Sequence, residues 1–401
     1  MRLCNALCGL SAVVALFHAG DAASQFDTCV MVNAPLGAGT DPINHVRLAV
    51  RDDGRPILVY TTDVHNDSSL YAYDCGDPAC RSGHVVYLDT SSNYFGAPGI
   101  VIRGNGNPLI SAQYFGGVNL YDCGDPECAA HSVTPIRATA SAIFSDLPIV
   151  LQANGNPLLL YVDAVSLGMG MPGSRPGQLI AHFCDDATCS DAGTEQVLAI
   201  PPGTSYGISE LSLAVDADYV PAATYLTSEG ASNLYTYSIA RCYDAGCTGV
   251  TNTQISAPVS NSTPTRTALS MRSDLRPLAL DNQANNRALL DCAAAACTSF
   301  DNRALPAAAT GQPLGLGILP GDLPAFALFG AQSVAAFACS DTTCASGGTL
   351  MQAASAQNAV LDGAFTLDAN LRAAIAYIDF DTRALAAARC MPDPIFADGF
   401  E

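Results

Sequence analysis

The stretch Gly104-Asn-Gly-Asn-Pro108-Leu-Ile-Ser-Ala-Gln-Tyr114-Phe-Gly-Gly-Val-Asn-Leu-Tyr-Asp-Cys123-Gly-Asp-Pro-Glu-Cys128 decides the fold. Asn-Gly supplies the positive φ angles of a tight hairpin, and Pro108 is tolerated as the first residue of the strand that follows. A further strand runs into Cys123, and the Cys-x4-Cys pair marks another turn. The same order returns along the chain. Its turns are Arg51-Asp-Asp-Gly-Arg-Pro56, Ala153-Asn-Gly-Asn-Pro157, Asp216-Ala-Asp-Tyr-Val-Pro221, Ser273-Asp-Leu-Arg-Pro277 and Pro320-Gly-Asp-Leu-Pro324. An apolar strand precedes each turn. The strand into the first cysteine recurs as Leu70-Tyr-Ala-Tyr-Asp-Cys75 and Leu234-Tyr-Thr-Tyr237, and a fourth strand follows the second cysteine, as in His84-Val-Val-Tyr-Leu88. Four strands in about fifty residues is the arithmetic of a β-propeller blade.

The cysteines count the blades. Six pairs share one spacing: Cys75 with Cys80, Cys123 with Cys128, Cys184 with Cys189, Cys242 with Cys247, Cys292 with Cys297 and Cys339 with Cys344, their first cysteines 48, 61, 58, 50 and 47 residues apart. Asp368-Ala-Asn-Leu-Arg372 repeats the turn once more, and Cys390 falls 51 residues after Cys339, where a seventh pair would begin. Its partner is missing downstream, but Cys29-Val-Met-Val-Asn33 reads as an outer strand. The expectation is an all-β, seven-bladed propeller of four-stranded blades, its seventh blade completed by the N-terminal strand and stapled by a bond between Cys29 and Cys390. Local disulfides are expected in preference to zinc, because an exported chain meets oxidising conditions and no His lies beyond His182. Each short staple is worth about 2 kcal/mol in the chain-entropy treatment. No metal and no cofactor are expected.

At 401 residues with 49% hydrophobic and 13% charged residues the chain buries a large core, which excludes disorder. All 17 basic residues are Arg and face 37 acids, a net charge of -20, so a nucleic-acid partner is excluded. Of the acids 32 are Asp and 5 Glu, a balance that favours turns over helices. Arg2, the apolar run Leu7 to Phe17 and the small residues Gly20-Asp21-Ala22 read as a signal peptide over 1–22. The propeller then spans 23–391 as one domain, with a tail over 392–401. No run reaches the ~18 apolar residues of a transmembrane helix. The expectation is a monomer, secreted or held at the cell surface, with the periplasm as the other destination.

These motifs resemble secreted bacterial β-propeller repeat proteins in which a Pro-hydrophobic-Tyr strand is followed by a Cys-x4-Cys hairpin holding an acid. The resemblance covers residues 29 to 390. Cys-Gly-Asp-Pro-x-Cys in the first two blades matches best, while Cys292-Ala-Ala-Ala-Ala-Cys297 has lost the acid and the seventh blade its Pro. The tail Pro392-Asp-Pro-Ile-Phe-Ala-Asp-Gly-Phe-Glu401 is similar to the ending of many exported bacterial proteins, which implies a sorting or processing tag. The resemblance implies a fold and an export route, not an activity.

Chemistry is sparse in the sequence. Gly203-Thr-Ser-Tyr-Gly207 matches the nucleophile-elbow spacing, but Pro201-Pro202 precedes it and no amphipathic helix follows. Asp379-Phe-Asp381 and Asp63-Val-His65-Asn-Asp67 lack the spacing of a calcium loop and read as solvated turns, and the insertion Ser166 to Gly177 reads as loop decoration. The chain has neither Lys, which excludes Schiff-base chemistry, nor the Trp of a sialidase Asp-box. The cysteine and Pro turns share one face of the propeller, leaving the other for binding. There the sequence gathers Tyr94, Phe95, Tyr114, Phe115, Phe144 and Tyr206 with Asp63, Asp67, Asp146 and Glu210. The competing reading packs these rings between blades. The leading expectation is a non-enzymatic scaffold for a glycan, peptide or protein ligand. The alternative is a glycan hydrolase or lyase, which needs two carboxylates about 5–10 Å apart over the central cavity; Asp379, Asp381, Asp63 and Glu210 are its candidates.

Overall fold

The computed structural model describes residues 28–32, 42–64, 67–91, 96–114, 117–138, 146–163, 177–191, 193–201, 206–229, 234–260, 267–283, 286–307, 309, 311–330, 333–355, 360–379 and 384–391. They form seven antiparallel sheets, six of them following chain order from inner to outer strand and the seventh ending on the N-terminal strand. Blade 1 holds Ile43–Val50, Pro56–Val64, Asp67–Cys75 and Gly83–Ser91; blade 2 holds Gly99–Ile102, Pro108–Tyr114, Gly117–Cys123 and His131–Ala138. Blade 3 holds Ile149–Leu151, Pro157–Asp163, Gln178–Phe183 and Thr194–Ala199; blade 4 holds Tyr206–Val215, Pro221–Glu229, Leu234–Cys242 and Val250–Gln254, with Val259–Ser260 paired to its third strand. Blade 5 holds Ala268–Met271, Pro277–Gln283, Asn286–Cys292 and Phe300–Ala304; blade 6 holds Gln312–Leu319, Leu323–Gly330, Ser333–Cys339 and Gly348–Ser355. Blade 7 holds Val360–Leu367, Ala373–Asp379 and Leu385–Met391, and Thr28–Val32 pairs beside the last of these with Cys29 level with Cys390. Residues 1–27 and 392–401, the expected leader and tail, lie outside the described set.

The local chemistry explains the repeat. Gly54, Gly106 and Gly155 take φ of +82°, +83° and +80° at the turn from first to second strand, and Pro opens the second strand in blades 1 to 5. Each Cys-x4-Cys turn is closed by a disulfide as expected: Cys75 to Cys80, Cys123 to Cys128, Cys184 to Cys189, Cys242 to Cys247, Cys292 to Cys297 and Cys339 to Cys344, with Cα atoms 4.6 to 4.9 Å apart. In every pair the second cysteine is left-handed, Cys247 for example at φ +54°, which turns its sulfur back towards the first. Disulfides in this number fit an extracellular or otherwise oxidising setting. Second and third strands are apolar on both faces, as in Leu158 to Val162 and Ala325 to Leu328, because each blade is sandwiched between two others. The first strands neighbour one another in order around the ring, the last against the first, and enclose a channel.

A buried ion pair ties the first turn of most blades to the residue before the cysteine. In blades 1, 2 and 5 the turn supplies the cation, giving Arg51–Asp74, Arg103–Asp122 and Arg272–Asp291. Blades 4 and 7 reverse the polarity to Asp216–Arg241 and Asp368–Arg389. Blade 3 replaces the pair by a bond from Gln152 to the Cys184 carbonyl at 3.0 Å, and blade 6 by buried Leu319 and Ala338. Several of these arginines also reach the next blade's cysteine turn: Arg51 donates to the Pro126 carbonyl, Arg241 to Ala295 at 3.1 Å and Arg272 to Thr342 at 2.6 Å.

Candidate active site at the channel mouth

All seven first strands line a central cavity of about 260 Å³ that includes Arg47, Asp146, Ser212, Thr267 and Phe365. Leu314 and Gly363 also border a second cavity of about 380 Å³, lined by His45, Glu210, Gln312, Phe329 and Asp362. The second cavity lies at the end of the channel away from the cysteine turns, the face on which sequence placed binding.

Four first strands lose register at this level, between Ile43 and His45, Ser209 and Ser212, Pro313 and Gly315, and Val360 and Asp362. A bulge inserts one residue, twists its strand and re-aims side chains, and bulges concentrate beside active sites. Glu210 sits in the bulge of blade 4 with φ +52°, a left-handed conformation that costs a non-glycine residue about 1–2 kcal/mol. Such strain is retained where the surroundings over-determine it.

Asp362 is the most buried acid at the mouth, its side chain only 2% exposed. Its carboxylate accepts from the Val46 amide at 3.2 Å, from the Gly363 amide, and from Arg47 Nη1 at 3.2 and 3.3 Å. His45 Nδ1 lies 3.2 Å from the same carboxylate. The other guanidinium nitrogen of Arg47 bonds Asp146 Oδ1. Arg47 therefore bridges blade 7 to the segment that enters blade 3 and holds two carboxylates on one fork.

Of the residues singled out in the sequence, Asp146 and Glu210 come to this mouth. Tyr114 does not: it is half-buried and packs with Ile110 and Ala112 against the core between blades 1 and 2, because it closes a two-residue hairpin on a strand buried on both sides. Tyr94, Phe95, Phe115, Phe144 and Asp381 lie outside the described residues. Asp63, Asp67 and Tyr206 are placed by backbone only, at strand ends on the mouth face. Asp379 ends the second strand of blade 7 on that face. His45, Arg47 and Asp362 escaped the sequence reading. The signal was available: charge and imidazole within the first strand of a blade, the strand that lines the channel.

A second polar cluster joins blades 2 and 3. Arg137 forks onto Glu195 at 2.8 and 2.7 Å and reaches Asp163 at 2.6 Å, while Tyr161 donates to Glu195 at 2.5 Å. Burial pushes the Tyr161 hydroxyl well above its ordinary range, aided by Glu195. Burial lowers the His182 imidazole, with Glu195 opposing. The sulfurs of Cys184 and Cys189 lie within 4.8 Å of that ring, but they are bonded to each other and offer no thiolate to a metal.

No family model matches the sequence, and no curated protein matches it. Solved structures do. A protein of unknown function from Dyadobacter fermentans superposes with TM-score 0.53 at 11% identity, over 91% of this chain and 98% of that one. The α-L-arabinofuranosidase Arb93A of Fusarium graminearum, solved with an iminosugar inhibitor, gives 0.52 at 9% identity over 82% and 97%. A puromycin hydrolase gives 0.54 at 14% identity, over 88% of this chain and 53% of that one. At these identities the likeness shows the propeller. The hydrolases among these neighbours, a glycoside hydrolase included, go against the expectation of a non-enzymatic scaffold and favour its alternative, a glycan hydrolase.

Proposed function

We propose that the chain is an exported glycan hydrolase acting at the channel mouth, with residues 1–22 as its signal peptide. The observation that carries the reading is the convergence of Glu210 and Asp362 on the cavity at the mouth, with Asp146 on the adjoining central cavity and Arg47 clamping Asp362 to Asp146. Glu210 protonates the glycosidic oxygen as its bond to the anomeric carbon breaks. Asp362 and Asp146 face the positive charge that develops there, and one of them takes the proton released by the attacking water. Arg47 and the Val46 and Gly363 amides fix Asp362 before substrate arrives, so little reorganisation remains in the transition state.

The test is reducing-end release by the purified mature chain from neutral polysaccharides and from small aryl glycosides, α-L-arabinofuranosides among them. Glu210→Gln should lower kcat by about 10²–10⁴ with an unchanged melting profile, and Asp362→Asn should lower kcat as far while also lowering the melting temperature, because it takes a buried carboxylate from Arg47. Turnover equal to the parent in both variants, or release from no glycan at all, would remove the reading.

A further inference from the structure

Two places before its first cysteine, the third strand of blades 1, 2, 4, 5 and 6 carries Tyr73, Tyr121, Ala240, Leu290 or Phe337. Blade 3 carries His182 there. Among the described residues this is the one place where an imidazole nitrogen and two cysteine sulfurs, those of Cys184 and Cys189, all lie within 4.8 Å of one another. The His182 side chain is only 3% exposed, and neither ring nitrogen makes a hydrogen bond. A buried polar group left without a partner needs an explanation, and a site for an ion is one.

The surroundings of the ring fit a ligand. Glu195 Oε1 lies 3.6 Å from Nδ1 and is itself held by Tyr161 and Arg137, the arrangement in which a carboxylate orients a metal-bound imidazole. Nε2 faces Gly193, where a Cβ would stand 2.8 Å from it. Glycine, at φ +60°, leaves that nitrogen uncovered. Burial lowers the ring's hold on a proton, which favours the neutral form that ligates.

We propose that Cys184, Cys189 and His182 become a zinc(II) site when the blade 3 staple is reduced. Two molecules of a small thiol are oxidised to their disulfide, and the Cys184–Cys189 bond takes up the two electrons and two protons as it breaks into two thiols. Each thiol releases its proton as its sulfur bonds zinc, and the neutral imidazole adds a third ligand. Zinc takes sulfur at about 2.3 Å and nitrogen at about 2.0 Å, with water completing four ligands. Asp185, Ala187 and Ser190 around the pair are exposed, so the turn is open to a small reductant.

Differential alkylation of the full chain tests this. The protein is reduced with a phosphine, mixed with zinc chloride or left without metal, treated with iodoacetamide and mapped by mass spectrometry. Zinc should slow alkylation of Cys184 and Cys189 at least about tenfold and leave Cys292 and Cys297, whose strand carries Leu290, at the metal-free rate. His182→Phe, a ring that blade 6 already accommodates as Phe337, should abolish the protection and keep the parent's circular dichroism. Equal protection of both pairs, or of neither, would overturn the site. Should reduction cost the chain its strand signal, Cys189→His decides instead, because it leaves the Cys184 thiol beside two imidazoles with the other five local disulfides intact. That variant, without reductant, should take one zinc per chain from a chromogenic chelator and lose it when His182→Phe is added. No uptake, or uptake that survives His182→Phe, would equally remove the proposal.

Discussion

At the scale of residues, the buried ion pairs show how one structural need is met by opposite chemistries. The Arg241 side chain is 4% exposed and Asp216 not at all, so removing either partner strands a charge away from water. Arg241→Ala should cost about 3–5 kcal/mol in denaturant unfolding. Asp216→Arg combined with Arg241→Asp should recover most of that loss, because blades 1, 2 and 5 already carry the pair in that polarity. If the double exchange is no more stable than the single variants, the pair is held by surroundings specific to blade 4. The mouth makes a parallel point about charge. Arg47→Met keeps the stem and deletes the fork, which should lower kcat about 10²-fold with a smaller change in KM, since both terminal nitrogens of the guanidinium are already engaged by acids. A larger effect on KM than on kcat in steady-state kinetics would make Arg47 a substrate contact.

At the scale of elements, hairpins were legible and bulges were not. Asn-Gly before Pro demands a particular backbone, so the turns at Gly106 and Gly155 could be read from residue type alone. The bulge at Glu210 inserts a residue into Tyr206–Val215 without changing the apolar alternation on either side, and its consequence, an acid turned into the channel, emerges only once the strand is paired. Arg47 and Asp362 belong to first strands that are adjacent in the ring but 315 residues apart in sequence. No local pattern joins them. The third strands carry a further regularity, a ring two residues before the cysteine: Tyr73, Tyr121, His182 and Phe337 in blades 1, 2, 3 and 6. His182 is the member whose ordinary value lies near neutral pH. Its buried imidazole is lowered from an unfolded value of about 6.5. The unfolded chain therefore binds a proton below that pH which the native chain resists, so this stability is present above about pH 6.5 and is lost as the pH falls. Glu195 and Arg137, which face the ring, do not change charge across that window. Melting temperature measured from pH 7 to pH 5 should decline less steeply in His182→Phe than in the parent. Parallel curves would mean that the ring is protonated in the native state at no cost. Asp341, held below the usual carboxylate range first by the Thr343 hydroxyl, acts only in more acidic solution, its stability lost below about pH 4.

At the scale of the whole molecule, the cysteine spacing counted the blades, and the closed circuit of first strands agrees with that count. A propeller ring has one seam, the place where its ends meet, and here the seam falls in the seventh sheet between Thr28–Val32 and Leu385–Met391. The other six blades are stapled across turns of five residues' separation, worth about 2 kcal/mol each in the entropy treatment. A bond between Cys29 and Cys390 would instead close a loop of some 360 residues, for which the same treatment gives about 6 kcal/mol as a ceiling. The backbone register already sets these two cysteines opposite each other. Cys29→Ser should therefore lower the melting temperature more than Cys292→Ser, whose partner is five residues away and whose turn, Ala293 to Ala296, carries no acid. Without the staple the outer strand is free to leave, which exposes the edge of Leu385–Met391 and lets blade 7 open against blade 1. Thermal unfolding of both variants, with peptide mapping of the non-reduced parent, decides it: a map joining Cys29 to any other cysteine, or a smaller loss in Cys29→Ser than in Cys292→Ser, would show that the ring is held at its seam by packing and not by this bond.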